Sequence, residues 1–300
     1  MISLISQRKY TYIASGILVA ASIVALALWG LRLGIDFRGG TLLEVQFAQE
    51  VSRADVGSAL GAVELTDVSV QPAEGGDFLV RYLASDEAAN ERVREALAGL
   101  DEEMEILRTD FFGASVSSEL ARKAVEAVIA ASVVIALYIA WAFRRVSRPV
   151  TSWQYGVGAL LALLHDVVIV LGIFAVLGEF FSVEVGIPFV AAMLTVLGYS
   201  VNDTIVVYDR VRENLLRSPG GESFEALVNR SVSETLARSI NTSLTVVLVL
   251  AAILIFGGET IRAFSLALLV GVIAGTYSSI FVASASLVTS HEYRRTRSKG

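Results

Sequence analysis

Six stretches of the chain are apolar over the length of a bilayer crossing: Tyr12–Leu31, Ala124–Phe143, Tyr155–Leu177, Val185–Val207, Ile240–Phe256 and Ala263–Val288. A helix needs about 20 such residues to cross the hydrocarbon core, so the pattern predicts six transmembrane helices. The fifth run gives the weakest signal, because Asn241, Thr242, Ser243 and Thr245 crowd its first turns. Between the first and second runs the pattern changes to short strand and helix periods. It predicts strand Thr41–Phe47, helix Arg53–Ala62, strand Asp67–Pro72, strand Phe78–Leu83, helix Asp86–Leu100 and strand Met104–Asp110. Glu74-Gly75-Gly76-Asp77 suits a hairpin turn, and Ser85, followed by Asp86 and Glu87, suits a helix start. The order β-α-β-β-α-β is that of a small α+β ferredoxin-like domain, a fold that hosts many unrelated activities.

The expected architecture is therefore an α-helical polytopic membrane protein with one ferredoxin-like domain outside the membrane. Residues 1–31 form the N-terminus and first helix, 32–123 the outer domain, and 124–289 five further helices with a cytoplasmic loop at 208–239. Residues 290–300 form a basic tail. Lys and Arg set the orientation. Fourteen of the 24 basic residues lie at the N-terminus, after the second run, between the fourth and fifth, and in the tail, whereas the two short loops opposite carry only Arg262. Both termini are expected in the cytoplasm. Segment 32–123, with 18 acidic and 9 basic residues, is expected outside. The first run has the basic start of a signal peptide, but it exceeds the roughly 7–15 residues of a signal core.

Composition removes several functions. The chain of 300 residues is 54% hydrophobic, with a mean hydropathy of +0.64, no cysteine and two histidines. A thiolate metal site is excluded, a histidine metal site is disfavoured, and no basic field for nucleic acid exists. Gly-x-Ser-x-Gly, His-Glu-x-x-His and Walker-type loops are absent. No cofactor is expected and the chain reads as a non-enzyme.

The candidate chemistry lies in charges placed among apolar residues. Asp203 falls within the fourth run, where an ionised carboxylate costs roughly 2.5–3.5 kcal/mol unless it is paired or protonated. Tyr199, Asp203 and Arg210 share one helical stripe. Arg238 opens the fifth run at a similar depth and is the natural counter-charge, with Asn202, Tyr199 and Thr242 as supporting polar contacts. A carboxylate held between desolvation and a movable cation can load and release a proton. Asp166 is the deepest acid and a weaker candidate for the same relay. Its neighbour His165 should point about 100° away, so no dyad is expected. Asp209, Arg210, Arg212 and Glu213 read as a self-paired helix end. Gly271 and Gly275, with Ala267 and Ser279, form a small-residue packing face. Gly34, Asp36, Gly39 and Gly40 in GIDFRGGT read as a junction between the first helix and the outer domain.

Three segments, GIDFRGGT (34–41), GYSVNDTIVVYDRVREN (198–214) and RSINTSLT (238–245), resemble the SecF subunits of the bacterial SecDF protein-export complex, relatives of the resistance-nodulation-division transporters. The resemblance spans essentially the whole chain. It implies a helper that uses the proton motive force to assist preprotein translocation through SecYEG after the ATP-dependent step of SecA. SecD is the implied partner, with YajC as a further one, in the bacterial inner membrane. By motif match Asp203 is the proton-path acid and Arg238 its basic counterpart, with an aspartate of SecD completing the path; Asp166 is not covered. Two rivals share the sequence features: a proton-driven exporter of a lipid or small molecule, and a passive scaffold subunit.

Overall fold

The structure is a computed structural model that describes residues 4–63, 65–73, 76–83, 87–144, 149–217 and 222–297. Glu74, Gly75, Ser85, Asp86, Arg145, Arg148 and Lys299, invoked above for turn, cap and orientation, lie outside the described residues. Six helices are long and apolar enough to cross a membrane: Ile5–Trp29, Ala114–Ala142, Ser152–Phe181, Ile187–Arg217, Phe224–Phe256 and Ile261–Arg297. The first contains α1 (Arg8–Trp29). The outer domain follows with α2 (Ile35–Arg38), β1 (Gly40–Gln46), α3 (Arg53–Gly61), β2 (Thr66–Pro72), β3 (Phe78–Leu83), α4 (Glu87–Ala98) and β4 (Glu105–Phe112). The remaining helices are α5 (Ala114–Ala142), α6 (Ser152–Phe181), α7 (Ile187–Arg217), α8 (Phe224–Phe256), α9 (Glu259–Ser278) and α10 (Ser284–Arg297). A π-helical turn, Ser279–Ala283, joins the last two.

Every helix outruns its apolar stretch. The segment expected as a loop at 208–239 is mostly an extension of α7 and α8, because it carries its own inward face: Val211, Leu227, Val228 and Val232 are buried. The bundle sorts by burial. Half of the most apolar stretch is buried in α6, in α7 and in the α9–α10 crossing, against 17%, 11% and 17% in α1, α5 and α8. Three central helices are therefore ringed by three whose outer faces, such as Ile13, Ile17, Val125, Ile129, Leu248 and Val249, are exposed as lipid-facing residues should be.

Glycine permits the closest approaches. A Cβ on Gly271 would fall 2.2 Å from Val196 Cγ2, and one on Gly275 would fall 2.8 Å from Ser200 Cβ. The small-residue face of α9 therefore packs on α7 of the same chain. The end of the bundle opposite the outer domain is closed by polar ties. Arg8 pairs with Glu225 at 2.9 Å and Glu292 at 2.7 Å, and Asn229 Oδ1 accepts from the Ile5 N–H at 3.1 Å.

The outer sheet has the order β2-β3-β1-β4 with every neighbour antiparallel, as the ferredoxin-like arrangement requires. Leu43 and Val45 of β1 meet Val56 and Leu60 of α3 and Val93 and Leu97 of α4 in a core separate from that of the bundle. Asp101 ties the end of β1 to the loop before β4. Its Oδ2 accepts from the Ala48 N–H at 2.7 Å and the Gln49 N–H at 3.0 Å, and its Oδ1 from the Glu103 N–H at 3.1 Å. Hydrogen bonding from Gln49 above all holds this carboxyl below the usual aspartate range.

Two outcomes follow. Gly271→Leu should overpack the α7–α9 contact and destabilise the bundle by about 1–3 kcal/mol, read as a lowered unfolding midpoint in detergent. Because Asp101 titrates lower in the folded chain, the unfolded chain binds more protons in acid. The stability it confers is complete above the ordinary aspartate value of about 3.9 and is lost as pH falls through the folded one. Asp101→Asn should flatten that part of the acid-unfolding profile.

Candidate functional site

Two carboxylates lie in the middle of the bundle, and hydroxyls satisfy both. Asp203, on α7, is 8% exposed. Ser239 of α8 donates to its Oδ1 at 2.6 Å, and Ser279, the first residue of the π turn, donates to its Oδ2. Asp166, on α6, is fully buried. Its Oδ2 accepts from Ser200 of α7 at 2.6 Å and from Ser278 of α9 at 2.8 Å. Its Oδ1 lies 3.0 Å from His165 Nδ1. The two acids thus touch adjacent serines of one helix, and Asp166 takes its other serine from the helix that carries Asp203. Hydroxyls suit this place: they are small enough for helices to approach and can donate to a carboxylate from the helix surface.

The predicted residues divide between two faces. Tyr199 turns inward, and its hydroxyl donates to Ser243 at 3.0 Å; Ser243 in turn lies 2.5 Å from Thr276 Oγ1. Asn202 and Arg238 turn outward and are exposed. Among the described residues no ion pair links Arg238 to Asp203. Side chains one position apart on a helix point about 100° apart, and the inward place on α8 is taken by Ser239. Thr242 is exposed as well, its hydroxyl donating to the Arg238 carbonyl at 2.9 Å. Arg238, Asn241, Thr242 and Thr245 form one continuous polar stripe, and it lies on the outer surface of the bundle.

Arg210 leaves the Asp203 stripe for the helix end, where it pairs with Glu213 and Glu234, both at 2.5 Å. Asp209 and Arg212 pair at 3.6 Å, completing the self-paired end that the sequence suggested. The expectation that His165 and Asp166 do not meet is corrected. Neighbouring side chains leave the helix about 100° apart, yet the ring nitrogen of one and the carboxylate of the other meet at 3.0 Å. The four serines were missed as carboxylate partners. Their signal was present: Ser200 stands three residues before Asp203, and Ser239 and Ser243 share an inward face at helical spacing.

The glycine-rich junction is also built around a carboxylate. The Asp36 Oδ2 accepts from the Ile187 N–H at 2.8 Å, capping the start of α7. Gly34 N–H donates to the Val185 carbonyl at 2.9 Å, and Val185 N–H to the Arg32 carbonyl at 2.8 Å. Arg81 of β3 pairs with Glu184 at 3.2 Å. Gly39 and Gly40 have φ of 86° and 129°, in the region that favours glycine, and a Cβ on Gly40 would fall 2.6 Å from the Tyr82 carbonyl oxygen. The junction thus fixes the outer domain to the turn between α6 and α7.

Comparison with known proteins follows the same two regions. Residues 92–293 match the family profile described as protein export membrane protein SecD/SecF, C-terminal, and residues 25–51 match the SecD/SecF GG motif. Protein translocase subunit SecF of Thermobaculum terrenum is 42% identical over 301 residues, covering 96% of this chain and 94% of that one. SecF of Haemophilus influenzae is 38% identical over 281 residues, covering 93% and 82%. The crystal structure of SecDF from Thermus thermophilus, a translocon-associated membrane protein, superposes with a TM-score of 0.81 at 34% identity. That match covers 97% of this chain and 39% of the longer SecDF chain. A SecDF in its super-membrane-facing form superposes with a TM-score of 0.71.

The junction supplies a test of its own. Asp36→Ala should remove the cap on α7 at a cost of about 0.5–2 kcal/mol, read as faster hydrogen exchange at the amides of Val185 and Ile187.

Proposed function

The chain belongs to the SecD/SecF family of protein-export membrane proteins, as a SecF-type translocase subunit, and we propose that it converts the proton motive force into work on an emerging preprotein. The observation that carries this reading is Asp203: a buried carboxylate in mid-bundle, held by Ser239 and Ser279 hydroxyls and by no cation among the described residues. Ionised acids at that depth are costly and mark proton paths. Outside the membrane no ATP is available, whereas one charge crossing 100 mV yields about 2.3 kcal/mol. Protonation and release at Asp203 therefore supply energy where the outer domain works. Protons are the coupling ion, and no other cofactor is required.

The outward stripe of Arg238, Asn241, Thr242 and Thr245, with Asn202 beside it, is expensive to leave against lipid. It supports a second subunit on this face, with SecD as the partner and an acid of SecD facing Arg238. In this reading Asp203 and Arg238 are one half of a path completed in the assembly. The complex serves SecYEG, with YajC associated, after SecA has driven the preprotein into the channel. The chain resides in the bacterial inner membrane with both termini in the cytoplasm.

The test is translocation in inner-membrane vesicles under an imposed proton gradient. Asp203→Asn should abolish the response to the gradient while leaving the SecA-dependent, ATP-driven component intact. A full gradient response from Asp203→Asn overturns the proposal. Arg238→Ala should weaken co-purification of the SecD subunit from mild detergent, and unchanged recovery removes Arg238 from that interface.

A further inference from the structure

Asp166 is more deeply buried than Asp203, and the reading above gives it no role. It sits at the fifteenth of the 30 residues of α6, about 21 Å along the helix from its first residue. Its partners are polar, and among the described residues none is Lys or Arg. Its own helix offers His165, α7 offers Ser200 and, one turn further on, Asp203. Helix α9 offers Ser278 and Tyr277. The Tyr277 ring stacks on His165 with centroids 5.9 Å apart, and its hydroxyl accepts from Ser15 of α1 at 3.2 Å and donates to the Thr11 carbonyl at 3.2 Å. Arg238 of α8 is exposed. Among the described residues, the titratable groups tied to Asp166 by a direct contact are His165 and, stacked on it, Tyr277, with Asp203 three residues beyond Ser200 on α7.

Three features go beyond what a structural carboxylate needs. First, His165 is 6% exposed, spends Nδ1 on Asp166 and leaves Nε2 buried with no partner among the described residues. A buried nitrogen without a partner is costly and marks a group able to accept a proton. Second, Ser278 and Ser279 each have two settings. Ser278 reaches Asp166 Oδ2 at 2.8 Å or the Gly275 carbonyl at 3.2 Å. Ser279 reaches Asp203 Oδ2 or the Thr276 carbonyl at 3.0 Å. A hydroxyl has one proton and two lone pairs. It can donate to an ionised acid, or turn its proton to the carbonyl and accept from a protonated one. Third, this pair stands where α9 gives way to the π turn, and such turns interrupt the regular ladder and cluster at functional sites.

We propose that Asp166 with His165 is a second proton-binding site, coupled to Asp203 through the adjacent hydroxyls of Ser278 and Ser279. When a proton arrives from the aqueous phase at the Asp166–His165 pair, the carboxylate becomes an acid that donates to Ser278. Ser278 then turns its own proton to the Gly275 carbonyl, one residue before the carbonyl that Ser279 uses. Ser200 links the same acid to α7, the helix of Asp203. The two sites therefore read each other's protonation through one helical turn. The use of this coupling to drive work rests on the proton-driven reading above; the site itself does not.

The test is pH-dependent infrared difference spectroscopy of the full chain in lipid vesicles with its co-purified partner, alongside 15N-histidine NMR. The only other histidine, His291, packs tilted against Phe224 with centroids 4.9 Å apart and serves as the internal reference. A buried carboxyl band should titrate with pH and be missing in Asp166→Asn. Its midpoint should move by about one pH unit in Asp203→Asn, as for coupled sites, and the His165 resonances should shift when Asp166 is replaced by Asn. Should Asp166→Asn fail to fold, Ser278→Ala keeps the carboxyl, removes one donor and should shift that band in frequency. No pH-dependent Asp166 band, or a midpoint indifferent to Asp203→Asn, overturns the proposal. Loss of gradient response in Asp203→Asn with a silent Asp166 would sink this inference alone. A coupled Asp166 with full gradient response in Asp203→Asn would sink the function and leave the site.

Discussion

A carboxylate inside a bilayer has no water to draw on and must find its hydrogen bonds on neighbouring helices. Asp166 and Asp203 impose that requirement on the centre of this bundle. Ser200 and Ser278 must face α6, and Ser239 and Ser279 must face Asp203, so the rotations of α7, α8 and α9 about their axes are set by hydrogen bonds that dispersion alone would leave loose. The apolar faces then take the remaining positions. Glycines 271 and 275 let α9 approach α7 closely enough for serine, the shortest available donor, to reach.

The same economy of charge governs the membrane boundary. At one end Arg8 joins α1, α8 and α10 through Glu225 and Glu292. At the other, Asp36 and Glu184 join the outer domain to the start of α7. Between them the interior holds no Lys or Arg bonded to either acid among the described residues. Charge is thus compensated where water is near, and hydroxyls carry the load where it is not. Arg238 and its polar neighbours, turned outward at the level of the bundle, are the exception that calls for another subunit.

Much of this was legible in the sequence because bilayer length and strand periodicity are strong constraints. Six helices long and apolar enough to cross a membrane and the βαββαβ order follow from counting apolar and polar positions. What was not legible turns on helix rotation. A one-residue step decides whether Arg238 or Ser239 faces Asp203, and only packing against α7 settles it. The contact between His165 and Asp166 escaped for the opposite reason: backbone direction forbids it, and side-chain torsion restores it. The π turn left no composition signal, since Ser279–Ala283 reads as ordinary apolar helix. The segment expected as a loop at 208–239 is mostly helix because its apolar residues are spaced for a single buried face.

The grip of the glycine-rich junction on the α6–α7 turn has a kinematic consequence. The outer domain is joined covalently to the bundle at two places, the end of α1 and the start of α5. Two attachments define an axis, and a body held only by them is free to rock about it. The third hold is the set of bonds on residues 184–187. While Asp36, Gly34 and Arg81 keep their bonds to Ile187, Val185 and Glu184 the domain has a third footing and must follow α7; only when all of them open does it become a flap on a two-point hinge.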